Sequence, residues 1–260
     1  METDDVSTLL REVAAEVITP RFRSLDADEI AEKNPGDLVT IADREAEVLI
    51  TEALSAAYPD AVVLGEEATS VDASVLDRYA DAAHAFTVDP VDGTKNFVHG
   101  SPDHAVMAAE LREGVVVRSW IWQPQHERMY VAELGAGAFR NGERLTRTPA
   151  GAPSTWRGAT SRRRWLGRSL PGHAPLELTW VSCGIDYPHL VEGDADYLLY
   201  SRTMPWDHAP GRLLLTEAGG ALRLLDAHDY DPTRIHDVGL VAAADREVAD
   251  AVVADWDRLA

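Results

Sequence analysis

The 260-residue sequence contains one cysteine, two lysines and no long apolar run. A single cysteine, Cys183, excludes an internal disulfide bond and is typical of a protein from a reducing compartment. No apolar run approaches the roughly 18 residues that a membrane-spanning helix needs. The acidic first residues, 1–5, are also unlike a signal peptide. These features predict a cytoplasmic protein that has no membrane partner.

Positive charge is scarce, and the formal net charge is −20 at pH 7. A chain this acidic is a poor non-specific partner for a nucleic acid polymer. A small anionic ligand would need a metal ion or a local arginine to offset the repulsion. The two lysines are Lys33 and Lys95, and Lys95 lies inside the most informative segment of the chain.

That segment is Asp89-Pro90-Val91-Asp92-Gly93-Thr94-Lys95-Asn96-Phe97. It follows the apolar run 85–88, which predicts a short buried strand. Pro90 and Gly93 predict a tight turn after that strand, with Thr94 capping a new helical turn.

The predicted turn would bring two carboxylates together with a peptide carbonyl. Asp89, Asp92 and the carbonyl of Val91 form the oxygen-only ligand set that hard divalent cations prefer. The backbone N–H groups after Gly93 would suit a phosphate. The alternative interpretation of the same residues is an ordinary solvated turn, so the remaining acidic residues must decide between the two.

Two further carboxylates stand at the ends of predicted elements. Glu66 follows a predicted strand, 61–64, and a glycine. Asp207 lies at a predicted helix start in Trp206-Asp207-His208-Ala209-Pro210-Gly211, where a helix cap is the simpler explanation. Each signal is weak alone.

The hydrophobic pattern predicts a mixed chain with a boundary near residue 150. Helical spacing covers residues 6–31 with a break at Pro20, Asn34-Pro35-Gly36 ends that segment, and Thr40 begins a second helix with Asp43 in a capping box. An antiparallel meander and a hairpin at Asn141-Gly142 follow. Beyond a Pro- and Gly-rich segment, the sequence predicts strands at 178–183, 197–201, 221–225 and 238–243, and helices at 187–192, 209–218 and 246–259. The predicted domains are 1–150 and 151–260.

The order of three motifs resembles the inositol monophosphatase-like family of metal-dependent, lithium-sensitive phosphatases. The motifs are Gly65-Glu66-Glu67, then residues 89–97, then residues 206–211 followed by Glu217-Ala218-Gly219-Gly220. The resemblance spans residues 37–220. It implies an α/β (α+β) fold, a layered αβαβα sandwich of the inositol monophosphatase/fructose-bisphosphatase type, and usually a homodimer. It also implies Mg²⁺-dependent hydrolysis of a small phosphate monoester.

The resemblance also implies a role for each matching residue. The metal ligands would be Glu66, Asp89, the Val91 carbonyl, Asp92 and Asp207, holding two or three Mg²⁺ ions, with Glu67 outside the ligand set. Asp43 and Thr94 would orient the attacking water, with Glu66 as the third catalytic residue. Gly93, Thr94 and Lys95 would bind the phosphate. Direct attack by metal-activated water, with no phospho-enzyme, is then expected.

The sequence departs from the family pattern where the leaving group binds. The family's acidic residue seven positions before the WD aspartate is Tyr200 here, and the small-residue loop reads Val181-Ser182-Cys183-Gly184. The predicted substrate contacts are therefore Asp92, Ser182, Cys183, Tyr200 and Asp207. The missing carboxylate disfavours inositol phosphate as the physiological substrate. Other polyol phosphates, histidinol phosphate, a sugar bisphosphate and 3′-phosphoadenosine 5′-phosphate stay open.

Several residues allow two interpretations. Cys183 is expected to be a small buried residue near the pocket, His99 and His104 are expected to be structural, and His208 is equally compatible with lining the pocket. Arg162-Arg163-Arg164-Trp165 is either a solvated loop or a clamp over a second anionic group, in which Trp165 could stack on a base. The alternative function is a non-catalytic phosphometabolite sensor or scaffold on the same fold, although such a protein would not need a water-orienting pair.

Overall fold

The computed structural model describes residues 1–34 and 36–259, and the side chain of residue 37 lies outside this description. Within these ranges the helices are α1 Thr3–Val13, α2 Ile41–Ala57, α3 Glu66–Val71, α4 Val75–Ala80, α5 Thr94–Val98, α6 Cys183–Glu192, α7 Pro205–Glu217 and α8 Arg246–Asp255. None of the helices in this part of the chain has the length and apolar character that crossing a membrane requires.

The strands form three sheets. A two-stranded sheet pairs β1 Ile30–Asn34 with β2 Asp37–Thr40. A seven-stranded sheet contains, in spatial order, β3 Val62–Gly65, β4 His84–Asp92, β5 Ala105–Arg112, β6 Val115–Gln123, β7 Arg128–Glu133, β8 Gly137–Arg140 and β9 Glu143–Leu145. The remaining strands are β10 Gly158–Thr160, β11 Glu177–Leu178, β12 Tyr197–Tyr200, β13 Ala221–Leu224 and β14 Leu240–Ala243, in the order β11-β10-β12-β14-β13.

The meander and the hairpin predicted from the sequence are confirmed. Strands β4 to β9 pair consecutively and antiparallel. Asn141 and Gly142 both have positive φ, 49° and 84°, in the turn between β8 and β9. Two consecutive positive φ values define the tight turn that matches the right-handed twist of a hairpin.

The helices and the two large sheets stack in five alternating layers. Buried residues of α1 and α2, among them Leu10 and Ile50, share one hydrophobic cluster with Phe86 and other residues on one face of the seven-stranded sheet. The other face packs on α6 and α7, which also contact the five-stranded sheet. The far face of that sheet packs on α8, as Val241 does against Val252. The predicted αβαβα layering is therefore confirmed.

The predicted helix over residues 6–31 is wrong beyond Arg21. Helix α1 ends at Val13, and one π-helical segment (Ala14–Ile18) and one 3₁₀ turn (Thr19–Arg21) follow it. Pro20 lies in the 3₁₀ turn, where its missing N–H is tolerated, and the chain then enters β1 instead of a second helix. Pro35, which was expected to end this segment with Asn34 and Gly36, lies outside the described residues.

The second half of the chain also differs from the prediction at several boundaries, including that of α6, which begins four residues before the predicted start at residue 187. The strand predicted at 178–183 is confined to Glu177–Leu178, because Val181 adopts a left-handed φ of 61° and Cys183 begins α6. Helix α7 begins at Pro205, four residues early, since proline fits the first helical position. Strand β14 begins at Leu240 instead of 238. Helix α8 ends at Asp255 and continues as a 3₁₀ turn.

The two-domain division at residue 150 stays a prediction. The seven-stranded sheet ends at Leu145 and the five-stranded sheet begins at Gly158, so the sheets divide the chain near that position. One continuous hydrophobic core joins the two sheets through α6 and α7.

Candidate metal and phosphate site

The Asp89-to-Asp92 segment continues a strand instead of forming the predicted turn. Asp89 pairs with Met107 and Asp92 pairs with Ala105. Between these two pairs β4 therefore contains one residue more than β5. This is a β-bulge, and Pro90, which lacks an N–H, fits an unpaired position there.

The chain turns one residue later, at Gly93. Gly93 has φ 82° and is the residue that precedes α5, so Thr94 is the first helical residue and not the cap. A Cβ on Gly93 would lie 2.9 Å from the Cβ of Ser182. Both the backbone conformation and the close approach therefore require glycine here.

Three aspartates from distant parts of the chain meet beside this bulge. One carboxylate oxygen from each of Asp89, Asp92 and Asp207 lies within 4.8 Å of the others. Asp207 lies in the first turn of α7. Burial, and then the neighbouring carboxylates, raise the pKa of Asp89 and of Asp207 well above the usual value.

The residues present fit a divalent cation. Asp89 Oδ1 is fully buried and has no hydrogen-bond partner. A buried carboxylate oxygen without a donor is costly, and a hard cation coordinated by oxygen would satisfy it. The donors are all carboxylate or carbonyl oxygens, which is the chemistry of a Mg²⁺ or Ca²⁺ site.

Asp92 is held by the C-terminal half of the chain. Its Oδ2 accepts hydrogen bonds from the Ser182 hydroxyl and from the backbone N–H of Gly184, the latter at 2.6 Å. These donors lie at the N-terminus of α6, where a carboxylate is favoured. Burial raises the pKa of Asp92, and the donated hydrogen bonds oppose that shift.

Lys33, which the sequence did not single out, lies against the Glu66 side of the site. Its Nζ is 2.6 Å from Glu66 Oε1 and 2.8 Å from Glu67 Oε1. Burial opposes the lysine charge, but the two carboxylates outweigh it and raise the lysine pKa. Burial raises the pKa of Glu66 to about 7. Glu67 is buried and paired with Lys33, so it is not a surface carboxylate.

The position of Glu66 depends on a second unpredicted residue, Glu47. The Glu47 carboxylate accepts the N–H groups of Glu67 and Ala68, both at 2.7 Å, at the start of α3. A Cβ on Gly65 would lie 2.3 Å from the carboxyl carbon of Glu47. Glycine before Glu66 therefore lets the Glu47 side chain approach and fix the start of this helix.

Asp43 and Thr94 form a hydrogen-bonded pair at the edge of the site. The predicted capping box is confirmed, since Asp43 Oδ2 accepts the Thr40 N–H at 2.9 Å. The Thr94 hydroxyl has two acceptors for its one proton, Asp43 Oδ1 at 2.9 Å and the Val91 carbonyl at 3.0 Å. Burial raises the pKa of Asp43 to about 6.

These residues surround one open cavity of about 620 Å³. All the site residues predicted from the sequence line it, except Asp43, which is buried behind Thr94. Lys95 is exposed at the cavity edge.

The comparisons with known proteins identify the family. A family model described as the inositol monophosphatase family matches residues 2–259. This chain belongs to the inositol monophosphatase family. It is 36% identical over 205 residues to an inositol-1-monophosphatase of Rhizobium meliloti (strain 1021), and the matched region covers 74% of each chain. It is 31% identical over 219 residues to the Nus factor SuhB of Pseudomonas aeruginosa, and the matched region covers 80% of this chain and 79% of the relative.

A solved structure supports the same fold. An IMPase/NADP phosphatase complexed with Mg²⁺ and phosphate superimposes with a TM-score of 0.77 at 20% identity, covering 96% of this chain and 95% of that one. The layered αβαβα fold of this chain is thus that of inositol monophosphatases.

The part of the cavity around Tyr200 contains a buried acid that the sequence did not reveal. The Tyr200 hydroxyl donates to Asp186 Oδ2 at 3.0 Å, and Asp186 Oδ1 accepts the Trp180 N–H at 2.8 Å. Burial, and then the charge of Asp92, raise the pKa of Asp186 to about 8. The only sequence signal was its spacing of four residues from Ser182, one turn along α6.

A second group of potential ligands is a weaker metal candidate. Single ligand atoms of Cys183, Asp207 and His208 also lie within 4.8 Å of one another. The His208 nitrogens are already 3.0 Å from the Tyr187 hydroxyl and 3.0 Å from the Arg202 carbonyl. Burial, and then nearby carboxylates, raise the pKa of the Cys183 thiol well above its usual value, so no thiolate is available at neutral pH.

The other histidines fit a structural interpretation. His104 is fully buried between Phe22 and Phe97, and burial lowers its pKa to about 4. His99 is exposed and contacts the Lys95 carbonyl at 2.7 Å.

The arginine-rich segment divides between the cavity and the surface. Arg162 lines the cavity, whereas Arg163 and Arg164 are exposed outside it. Trp165 is buried, and its ring packs edge-on against that of Trp256 at 4.8 Å. Stacking of Trp165 on a substrate base is therefore ruled out in this arrangement.

Proposed function

We propose that this protein hydrolyses a small phosphate monoester in a Mg²⁺-dependent reaction. The observation that carries the proposal is the meeting of Asp89, Asp92 and Asp207 around a buried carboxylate oxygen that has no donor. The proposed ligands are Glu66, Asp89, the Val91 carbonyl, Asp92 and Asp207. When bound, two or three Mg²⁺ ions would neutralise the phosphate charge and lower the pKa of the attacking water.

Thr94 and Asp43 are proposed to orient that water. If the Thr94 proton points to Asp43 Oδ1, the hydroxyl oxygen keeps lone pairs that accept a hydrogen bond from water in the cavity. The buried Asp43 carboxylate fixes the direction of the hydroxyl and stabilises the positive charge that develops on the water. Glu66 completes this catalytic set as a carboxylate that lines the cavity.

The transferred phosphate is proposed to lie beside Gly93, Thr94 and Lys95. The backbone N–H groups at the start of α5 and the exposed Lys95 ammonium group can donate to its oxygens. The leaving group would then contact Asp92, Ser182, Cys183, Tyr200 and Asp207. Ser182 already donates its hydroxyl to Asp92, so its contribution is to hold that ligand.

The test is phosphate release from a panel of monoesters with Mg²⁺, with a chelator, and with Mg²⁺ plus Li⁺. The panel contains inositol 1-phosphate, histidinol phosphate, fructose 1,6-bisphosphate and 3′-phosphoadenosine 5′-phosphate. The proposal predicts turnover that requires Mg²⁺ and falls with Li⁺. Equal release in chelator would contradict the metal requirement, and no release from any ester would contradict the activity.

A non-catalytic role on the same fold is the alternative. It has one specific observation in its favour, the relative named a Nus factor. This alternative predicts that inorganic phosphate and Mg²⁺ bind without turnover of any monoester. The Asp43–Thr94 pair argues against it, because binding alone does not need a water-orienting hydroxyl.

A homodimer and a cytoplasmic location are further proposals, and both follow from the family resemblance and the composition. Light scattering after size-exclusion chromatography tests the first, since a dimer has twice the 28.4 kDa mass of the chain. A mass of one chain would contradict it. Fractionation of the source cells tests the second.

A further inference from the structure

Two arginines that line the cavity follow neighbouring strands of the five-stranded sheet. Strands β10 and β12 are parallel neighbours, with Thr160 opposite Leu199, so they leave the sheet at the same edge. Arg162 is two residues beyond β10 and Arg202 is two residues beyond β12. The carboxyl ends of parallel strands are where open α/β sheets bind ligands.

The backbones of both arginines are fixed. The buried Thr160 hydroxyl donates to the Leu199 carbonyl at 3.0 Å and accepts the Arg162 N–H at 3.0 Å. His208 Nε2 lies 3.0 Å from the Arg202 carbonyl. The backbone of Arg162 is therefore anchored through β12 and that of Arg202 through α7, while both side chains stay exposed.

Both guanidinium groups are available to an anion. Within residues 1–34 and 36–259, Arg162 and Arg202 are the only arginines that line the cavity. Among the side chains that the structure describes, which do not include that of residue 37, no carboxylate oxygen lies within 4.0 Å of either guanidinium. A guanidinium without such a partner can bind a phosphate through two parallel hydrogen bonds.

The residue that ends β12 is a phenol and not a carboxylate. Tyr200, two residues before Arg202, is buried, and its hydroxyl donates to Asp186. The acidic residues that also line the cavity are Asp186, which accepts this hydrogen bond, and the proposed metal ligands Glu66, Asp89, Asp92 and Asp207, whose charge the bound cations would offset. Arg162 and Arg202 thus supply positive charge at this end of the cavity, in a chain of net charge −20.

We propose that Arg162 and Arg202 form a subsite for a second phosphate group, carried by the leaving group of the substrate. This inference rests on the proposed phosphatase function and narrows its substrate class to monoesters that bear another phosphate. A cationic leaving group, such as that of histidinol phosphate, would be repelled by the same two charges.

The test compares substrates that differ by one phosphate. The pairs are adenosine 3′,5′-bisphosphate with adenosine 3′-phosphate, and fructose 1,6-bisphosphate with fructose 1-phosphate. The wild-type protein should favour the bisphosphate of at least one pair in kcat/KM by about tenfold or more, the effect of one charge-assisted hydrogen bond. Arg162→Gln and Arg202→Gln should each remove most of that preference and leave kcat/KM for the monophosphate within about twofold. Arg163→Gln and Arg164→Gln are matched controls from the same loop and should keep the wild-type preference.

The outcomes separate this inference from the proposed function. Mg²⁺-dependent release without a bisphosphate preference in either pair would overturn the subsite and leave the phosphatase standing. A loss in the Arg162 and Arg202 variants that is equal for both members of a pair would also overturn it. Release from inositol 1-phosphate or histidinol phosphate with none from these four esters would overturn the subsite alone, and no release from any ester of the two panels would overturn both proposals.

Discussion

The Thr94 hydroxyl lies 2.9 Å from Asp43 Oδ1, although 51 residues separate the two side chains. This contact links the start of α2 to the start of α5. The second acceptor of the hydroxyl, the Val91 carbonyl, belongs to the proposed metal ligands. Thr94 therefore stands between the buried carboxylate that orients it and the site where water would be activated.

Replacing Thr94 tests this pair. Thr94→Ala should lower kcat by about 100-fold or more, because a positioned proton acceptor contributes that much, and should change KM far less. Thr94→Ser keeps the hydroxyl and serves as the control, with activity near that of the wild type. Steady-state phosphate release measures both variants, and full activity in Thr94→Ala would refute the assigned role.

The crowded carboxylates predict how stability depends on pH without metal. The folded-state pKa is about 7 for Glu66 and about 8 for Asp186, both above the ordinary carboxyl values. The folded state therefore binds more protons than the unfolded state between about pH 6.5 and pH 8, so the free energy of unfolding falls as pH rises through this window. Burial lowers the pKa values of His104 and His208 to about 4, so these two histidines make stability depend on pH only below this window.

Urea unfolding in chelator at several pH values measures this dependence. Mg²⁺ at pH 8 should recover stability, because it binds the folded state and gives the ionised carboxylates a partner. A metal-free protein whose stability rises from pH 6.5 to 8 would show that the carboxylates are not protonated as inferred.

Asp186→Asn should remove part of that pH dependence. The asparagine oxygen can still accept the Trp180 N–H, and its amide can donate to the Tyr200 oxygen, so both contacts survive. Relative to the wild type, the variant should gain about 1 kcal/mol in free energy of unfolding per pH unit between pH 6.5 and 8. The control Asp229→Asn removes an exposed carboxylate outside the cavity. Its free energy of unfolding should differ from that of the wild type by the same amount at every pH in this range. A constant difference for Asp186→Asn as well would mean that Asp186 is already ionised.

Lys33→Met tests the charge that offsets Glu66 and Glu67. Removing one member of a buried ion pair leaves uncompensated charge and should cost about 3 kcal/mol of stability in chelator. Mg²⁺ should recover more of the stability of this variant than of the wild type, since a cation at Glu66 replaces the lost ammonium charge. The melting temperatures with and without Mg²⁺ measure the effect, and equal Mg²⁺ shifts in the two proteins would show that Lys33 and metal act independently.

The sequence could predict the acidic residues of the site because each stands at the end of an element within a recognisable motif. Glu66, Asp89 and Asp207 needed only their motif order. Lys33 and Asp186 carried no such signal, because their importance arises from contacts with residues that are distant in the sequence, such as that of Lys33 with Glu66 and that of Asp186 with Tyr200.

The errors in the predicted elements have local causes. Helical spacing in residues 6–18 could not reveal that the chain leaves the helix near Pro20 and pairs as β1. The apolar run at 178–183 read as a strand because its pattern could not show the left-handed backbone of Val181. The bulge at Asp89 to Asp92 was likewise interpreted as a turn, since proline and glycine occur in both.

The most direct test of the central claim is phosphate release as a function of Mg²⁺ concentration in the wild-type protein and in Asp92→Asn. The account predicts saturable Mg²⁺-dependent release in the wild type and none above background in the variant, which should keep its circular dichroism spectrum, while Asp229→Asn behaves as the wild type. Phosphate release by the wild type that does not depend on Mg²⁺ concentration, or full activity in Asp92→Asn, would contradict a phosphatase whose metal ions are bound by this carboxylate cluster.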